Sequence, residues 1–202
     1  MEFLDLEIEQ YIGEHTSDEN ELLQKINRET HLEVMRPRML SGHVQGRLLS
    51  LFSKMISPKN ILEIGTYTGY SAICMAEGLQ ENGNLITIDV NEELEDRVND
   101  YFAQAKLSDV VDFKIGNAME IIPNLEEQFD LVFIDADKSN YSNYLDLVVD
   151  KVPSGGYIIA DNVLWSGKVV EKFRKNLDKD TESRLKFNKD VHKDSRFENV
   201  LL

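Results

Sequence analysis

Cysteine and long apolar runs are both scarce in this sequence, and each shortage excludes a class of protein. Cys74 is the one cysteine among 202 residues, so the chain cannot form a disulfide with itself. No apolar run approaches the length of a membrane span, and no apolar segment follows a basic region near the N-terminus. We therefore predict a cytoplasmic protein without a membrane partner. Cys74 falls on the apolar side of a predicted helix, where we expect it to pack in the core.

Positive charge is in short supply as well. The chain has 22 lysines and arginines against 37 aspartates and glutamates, which gives a formal net charge of -15. Nucleic-acid phosphates repel such a chain, so we predict no nucleic-acid partner. Histidine occurs four times, in predicted helices or at their ends, where surface or capping roles are expected: His15, His31, His43 and His192.

Short apolar runs alternate with amphipathic segments through most of the chain. The runs predict strands at 61–64, 85–89, 111–115, 130–134 and 157–160, with helices at 70–80, 92–106, 118–122 and 141–150 between them. Strands separated by helices are typical of a parallel sheet with right-handed crossovers and helices on both faces. The pattern predicts a single α/β domain over residues 1–202, with a Rossmann-like, doubly wound and mostly parallel sheet.

The two ends of the chain follow other patterns. Helices at 2–12 and 18–34 are predicted to form an N-terminal helical extension over residues 1–38, with Asp18 and Glu21 as a capping box for the second. A further helix should end near residue 56, before Ser57-Pro58. The charged stretch 168–193 is predicted to be an exposed helix with a loop, and 197–202 to be a strand.

A glycine-punctuated turn follows the first strand, in the run N-I-L-E-I-G-T-Y-T-G-Y-S from residue 60. Gly65 can end the strand sharply, and Gly69 lets the next helix lie close to a ligand or to the sheet. The spacing differs from that of a dinucleotide fold, and the turn lacks the Lys and hydroxyl of a phosphate loop. The acidic Glu63 suits a hydroxyl or a cation. We interpret the turn as a small-molecule site, the alternative being an ordinary tight strand-to-helix connection.

Side-chain oxygens end four of the predicted strands, at Glu63, Asp89, Asp135 and the pair Asp161-Asn162. The carboxyl ends of parallel strands lie along one edge of a sheet, where ligands bind. Asp89 stands about 20 residues beyond the turn, a spacing from which an acidic group binds ribose hydroxyls, so it marks a nucleoside together with Glu63. The remaining three supply oxygen ligands only, which favours magnesium, manganese or calcium.

Four runs together resemble the cation-dependent O-methyltransferases. They are ILEIGTYTGYS at 61–71, GNAMEIIP at 116–123, FIDADK at 133–138 and DNVLWSG at 161–167. Within that family the chain, over residues 35–202, is most similar to the caffeoyl-CoA O-methyltransferase-like subgroup, which is related to catechol O-methyltransferase. The resemblance implies a class I methyltransferase fold, S-adenosylmethionine (SAM) as the cofactor and a divalent cation.

The resemblance also implies roles for individual residues. The methionine part of SAM would lie between Met39 and Ser41, with its carboxylate on Ser71, its ribose on Asp89 and its adenine against Ala118, while Glu63, Gly65 and Tyr67 line the turn. The metal would be held by Asp135, Asp161 and Asn162, with Asp135 also counted among the catalytic and cofactor-binding residues. Lys138 would be the proton acceptor, and Trp165 would border the acceptor.

Several expectations follow from the same likeness. The sheet should have the order 3-2-1-4-5-(7)-6 with six strands in this chain, since the family's Asp-Gly-Leu-containing strand is not found in it. A homodimer formed through the N-terminal helices is expected. Ala136 stands where the catechol enzyme has a histidine, so the acceptor is left open beyond a small, catechol-like hydroxyl compound. Two alternative functions are a nicotinamide-dependent oxidoreductase and a non-catalytic SAM-binding protein.

Overall fold

Five parallel strands form one sheet in the computed structural model, which describes residues 5–173 and 175–202. The strands are β1 (Asn60–Ile64), β2 (Asn84–Asp89), β3 (Val111–Ile115), β4 (Leu131–Ile134) and β5 (Tyr157–Ala160). The helices are α1 (Leu6–Glu14), α2 (Glu21–Glu33), α3 (Gly42–Ile56), α4 (Tyr70–Ala76), α5 (Glu95–Gln104), α6 (Ala118–Ile121), α7 (Tyr141–Val148) and α8 (Lys179–Lys193). The predicted fold class is confirmed.

The strand order is β3-β2-β1-β4-β5, so the chain winds outward in both directions from β1. The order therefore reverses between β1 and β4, where a crevice opens beyond the carboxyl ends of the strands. Backbone hydrogen bonds continue the pairing to that rim: the Gly65 N–H donates to the Ile88 carbonyl at 2.9 Å, and the Asp135 N–H to the Ile64 carbonyl at 2.9 Å.

Apolar side chains cover both faces of the sheet. Ile61 on β1 packs in a cluster with Leu23 of α2 and with the buried Cys74 of α4, as predicted for this cysteine. Its neighbour Leu62 points to the opposite face and packs in a second cluster with Val148 of α7. Successive strand residues thus serve two helical layers, which explains why the strands are apolar throughout. No helix within the described residues is both long and apolar enough to cross a membrane.

The N-terminal helices begin later than the sequence predicts. For α1, Asp5 caps the helix by accepting a hydrogen bond from the Glu7 N–H at 2.9 Å, while predicted positions 2–4 lie outside the described residues. The predicted capping box of α2 is wrong. Asn20 is the cap, because its backbone is extended and its side chain accepts from the Leu23 N–H at 2.9 Å.

The predicted sixth strand is wrong as well. Residues 197–202 form no strand, and a turn precedes them in which the Phe197 N–H donates to the Asp194 carbonyl. The predicted order puts strand 7 between β5 and this segment, so the segment has no neighbour here with which to pair its backbone groups. Phe197 packs against the core, whereas Val200 and Leu202 are exposed.

Candidate active site

A cavity of about 1270 Å³ opens along the carboxyl ends of the strands at the point where their order reverses. It brings together all but one of the residues that the sequence assigns to a site. Its lining includes Met39, Ser41, Gly65, Tyr67, Ser71, Asp89, Ala118, Asp135, Lys138, Asp161, Asn162 and Trp165. None of the four histidines is among the described lining residues; His43, for example, lies within 2.8 Å of the Ser17 carbonyl through its Nε2.

Glu63 is the predicted site residue that does not line the cavity. Its side chain is fully buried, with Ser71 Oγ donating to Oε1 and Thr87 Oγ1 donating to Oε2, each at 2.5 Å. Burial raises the pKa of Glu63 to about 8, although the two hydroxyl groups oppose the rise. Glu63 therefore ties β1 to α4 and β2 directly behind the turn, and its contact with a cofactor stays a prediction.

The turn after β1 needs glycine for two physical reasons. Gly65 has a φ of 107°, and a Cβ there would lie 2.4 Å from the Asp135 carbonyl oxygen. Gly69, with a φ of 77°, is the N-cap of α4, and a Cβ there would lie 3.0 Å from the ring of Phe102. Between them, the Tyr67 side chain reaches across and donates its hydroxyl to the Met35 carbonyl at 3.1 Å. The turn is thereby fixed against the end of β4 and beneath the chain that precedes α3.

Asp89 is fixed at the end of β2 by the backbone. Its Oδ2 accepts from the Tyr67 N–H at 2.7 Å, and its Oδ1 accepts from the Asn91 N–H at 2.9 Å. Each carboxylate oxygen can accept a second hydrogen bond, so a pair of adjacent ligand hydroxyls can still bind. This arrangement fits the predicted ribose contact.

The second group of polar residues lies on β4, on β5 and on the loops that follow them. Asp135 and Asp161 lie within hydrogen-bonding reach of each other, and Asn162 Nδ2 donates to Asp161 Oδ2 at 2.6 Å. Lys138 Nζ donates to Asp135 Oδ1 and, at 2.9 Å, to the hydroxyl of Tyr141. Burial raises the pKa of Asp135 to about 6; Lys138 opposes the rise and Asp161 adds to it.

These groups fit a hard divalent cation. Among the described residues no set of three or more His, Cys, Asp or Glu side chains is arranged to hold a metal ion. The donors here are instead the carboxylates of Asp135 and Asp161 and the amide oxygen of Asn162, which suit magnesium, manganese or calcium and not zinc. A positive charge between Asp135 and Asp161 would offset the repulsion by which Asp161 adds to the raised pKa of Asp135.

Tyr141 is a site residue that the sequence analysis missed. It is buried, accepts from Lys138 Nζ, and lies 3.1 Å from the carbonyl oxygens of both Ile134 and Asp161 through its hydroxyl. The Tyr141 hydroxyl thus connects the Lys138 amine to the ends of β4 and β5. Its spacing three residues after Lys138, at the start of a predicted helix, is the signal that could have found it.

Known proteins with similar sequences and structures agree with this geometry. The sequence profile of the O-methyltransferase family matches residues 13–202. Caffeoyl-CoA O-methyltransferase 1 of Eucalyptus globulus is 35% identical over 173 residues, which are 81% of this chain and 70% of that protein. The O-methyltransferase TomG from Streptomyces achromogenes, involved in tomaymycin synthesis and solved in complex with SAM, has a TM-score of 0.84 at 28% identity, covering 94% of this chain and 85% of its own. An O-methyltransferase from Bacillus cereus in complex with SAH has a TM-score of 0.84 at 27% identity, and the match covers 94% of this chain and 86% of that protein.

The sheet order and the crevice at its switch point define a class I methyltransferase fold. More narrowly, the chain belongs to the O-methyltransferase family. The predicted enzyme class, a SAM-dependent O-methyltransferase, is confirmed, and a nicotinamide-dependent oxidoreductase does not fit this family. The match begins at residue 13, so it also includes α2, which precedes the range 35–202 over which the motifs indicate the resemblance.

Proposed function

We propose that this enzyme transfers a methyl group from SAM to a hydroxyl of a small, catechol-like acceptor with the help of a divalent cation. The observation that supports this most directly is the cluster at the cavity wall, where Asp135 and Asp161 meet beside the Lys138 amine. The names of the plant relatives add support for an aromatic hydroxyl acceptor. A cytoplasmic location, and a lack of nucleic-acid partners, stay predictions of the sequence.

The β1–β2 side of the cavity is proposed to bind SAM. Asp89 would accept hydrogen bonds from the ribose hydroxyls, because its two oxygens are held in place by backbone N–H groups. Gly65 and Tyr67 line this side of the cavity, and Met39 and Ser41 close it from the segment before α3. The acidic rim would favour the positive charges of SAM.

The β4–β5 side is proposed to bind the acceptor, beside a cation held by Asp135, Asp161 and Asn162. A phenol with a pKa near 10 is mostly protonated at neutral pH and is then a poor nucleophile. When bound there, the cation would supply a Lewis acid that favours the ionised hydroxyl. Lys138, which Asp135 and Tyr141 hold at the cavity wall, would accept the hydroxyl proton when its own amine is neutral.

Removal of divalent ions is the test of the metal. After exhaustive chelation, we expect methyl transfer to a panel of catechols to stop, and magnesium, manganese or calcium to restore it. An Asp161→Ala enzyme should lose at least about a hundredfold in rate with metal present, because it lacks one of the two carboxylates. Asp109→Asn, an exposed change elsewhere, is the matched control. Full activity in chelator would exclude the metal mechanism, and a Lys138→Ala enzyme of nearly parental rate would assign the proton to solvent.

Calorimetry with SAM tests the nucleoside site. Asp89→Ala should weaken binding by about 1.5–3 kcal/mol, tenfold or more, because charge-assisted hydrogen bonds to the ribose are lost. Asp96→Ala, an exposed change on α5, should bind like the parent. Unchanged affinity in Asp89→Ala, or tighter binding of NAD than of SAM by the parent, would contradict the assignment.

We also propose a homodimer, formed by the N-terminal helices together with α3. Val44, Leu48, Leu51 and Met55 are exposed along one stripe of α3, at the spacing of a helix face that packs against a partner. Tyr11 of α1 is exposed as well. Light scattering should give a dimer mass for the parent and a monomer mass for a Leu51→Glu variant. A monomeric parent would contradict the proposal.

A further inference from the structure

Arg184 is buried in a helix that is otherwise largely exposed. Helix α8 carries many charged residues, and the sequence predicts a solvated face for all of them. Yet Arg184 is 0% exposed, and it shares the buried face of α8 with Thr181 and Phe187. Burying a guanidinium is unfavourable unless its surroundings stabilise the charge. The groups that surround the Arg184 guanidinium and stabilise its charge therefore indicate the role of this side chain.

Those neighbours are residues from the acceptor side of the cavity. The guanidinium carbon lies 4.4 Å from the centre of the Trp165 ring and 5.2 Å from that of the Tyr141 ring. Nη1 donates to the backbone carbonyl of Lys138 at 2.9 Å. Aromatic faces and a carbonyl oxygen both stabilise a cation away from water. One side chain thus contacts the loop after β4, the start of α7 and the turn after β5.

The turn that carries Trp165 adopts a strained backbone and needs such support. Asn162, Trp165 and Ser166 have φ values of 58°, 49° and 50°, a region that side chains other than glycine rarely occupy. One helical turn beyond Arg184, Asn188 donates its amide to the Val163 carbonyl at 2.9 Å. Helix α8 therefore fixes this turn at two points, and of these two side chains Arg184 is the one that touches the indole.

The hydrogen bonds of Arg184 differ from those of an arginine in an ordinary ion pair, and they favour a positioning role. Within the described residues, its Nε and Nη2 groups make no hydrogen bond, and neither does the Trp165 indole N–H. The described partners of the guanidinium are thus two ring faces and the carbonyl oxygens of Lys138 and Asp180, to which Nη1 donates. Stacking on a ring orients a planar guanidinium, and it equally orients the ring. A lysine at this position would keep the positive charge but would lose the planar guanidinium group and its fixed set of N–H donors.

We infer that Arg184 is a positioning residue for the methyl acceptor, one that fixes the Trp165 ring and the Lys138 loop relative to each other without touching the acceptor. The inference rests on the proposed function, in which the acceptor binds beside Lys138, and on the expectation from the family resemblance that Trp165 borders the acceptor. Arg184 does not line the cavity as it is described, whereas Lys138 and Trp165 do. Its effect on the reaction is therefore exerted through them.

Fluorescence tests the structural half without any substrate. Trp165 is the only tryptophan in the chain, so emission excited at the red edge of its absorption reports this ring alone. In Arg184→Met we expect red-shifted emission and stronger quenching by acrylamide, because the indole loses its stacked partner. Arg184→Lys should be intermediate, and it serves if the methionine variant does not fold. Lys189→Met, an exposed change on the same helix, is the matched control. Parental emission and quenching in both Arg184 variants would overturn the inference.

Kinetics test the functional half. Arg184→Met should raise the KM of the acceptor by roughly tenfold, since small misplacement of groups around a substrate is costly, and leave the KM of SAM unchanged. A merely structural residue would instead lower the melting temperature and leave both KM values as in the parent, or raise both together; either result would overturn the inference. If the parent methylates no acceptor, the proposed function fails, and fluorescence still decides whether Arg184 holds Trp165.

Discussion

At the scale of single residues, Glu63 shows how a buried carboxyl can organise a site that it does not line. Its oxygens are occupied by hydroxyl groups from α4 and β2, so the turn behind Gly65 is braced by side chains as well as by the sheet. The sequence places Glu63 near the carboxyl end of β1. It cannot show whether this side chain faces the cavity or the core, because the packing of α4 decides that.

Replacing Glu63 should change how stability depends on pH. Its folded pKa, about 8, lies above the ordinary value of 4.5, so the folded protein keeps a proton that the unfolded chain loses between these values. The free energy of unfolding therefore falls as pH rises through this window. In Glu63→Gln that fall is removed, and relative to the parent the variant should gain about 4 kcal/mol between pH 4.5 and pH 8.5. Urea denaturation at the two pH values measures the difference.

Glu126→Gln, an exposed substitution, is the control for this experiment. If the difference between Glu63→Gln and the parent were the same at both pH values, the Glu63 carboxyl would be ionised in the folded protein, and its raised pKa would be disproved.

At the scale of elements, helix α4 is held in place by close contact with α3. A Cβ on Gly46 of α3 would lie 2.5 Å from the ring of Tyr70. A Cβ on Gly78, just beyond α4, would lie 2.2 Å from the backbone of Ser53. The predicted helix over 70–80 in fact ends at Ala76, and the chain at Gly78 runs directly against α3. Because α4 begins at the turn after β1, its placement determines that of the turn.

Gly78→Ala should therefore destabilise the protein. The added methyl group meets backbone that cannot move aside as a side chain can, so we expect a loss of about 1–3 kcal/mol in the free energy of unfolding. Gly13→Ala in α1 is the matched change: a Cβ there meets nothing within 4 Å, and alanine should stabilise the helix by about 0.5–1 kcal/mol. Chemical denaturation of both variants checks the contrast. Equal effects of the two would show that the α3–α4 contact has more room than the distances indicate.

The sequence predicts elements well where the evidence for them is local. Apolar runs and the glycine spacing predict the five strands and the turn after β1, because the hydrophobic period and the residue types that a turn requires depend on neighbouring residues only. The absent sixth strand is a different case, since a strand exists only beside a partner. The burial of Arg184 is a second such case, because the charged residues around it predict a solvated helix. Its burial depends on Trp165 and Tyr141, which lie far from it in the chain.

At the scale of the whole molecule, the two sides of the cavity are built differently. The proposed SAM side stands on β1 and β2 and on the turn that Glu63 braces from behind. The proposed acceptor side depends on loops after β4 and β5 and on α8, of which few side chains are buried. The proposed SAM site thus lies on more rigid parts of the structure than the proposed acceptor site.

The central location of β1 has a consequence for how the molecule opens. Neighbours on both sides, β2 and β4, hydrogen-bond to β1, so its amides can meet solvent only when the sheet comes apart, whereas α8 can detach while the sheet stays whole. In hydrogen–deuterium exchange we expect Asn60–Ile64 to label last, at the rate of global unfolding, and Lys179–Lys193 to label much earlier. Similar rates in the two segments would contradict this. If the two segments label in the expected order, the side of the cavity proposed to bind SAM keeps its shape while the side proposed to bind the acceptor can open and close. SAM would then be the substrate able to bind first.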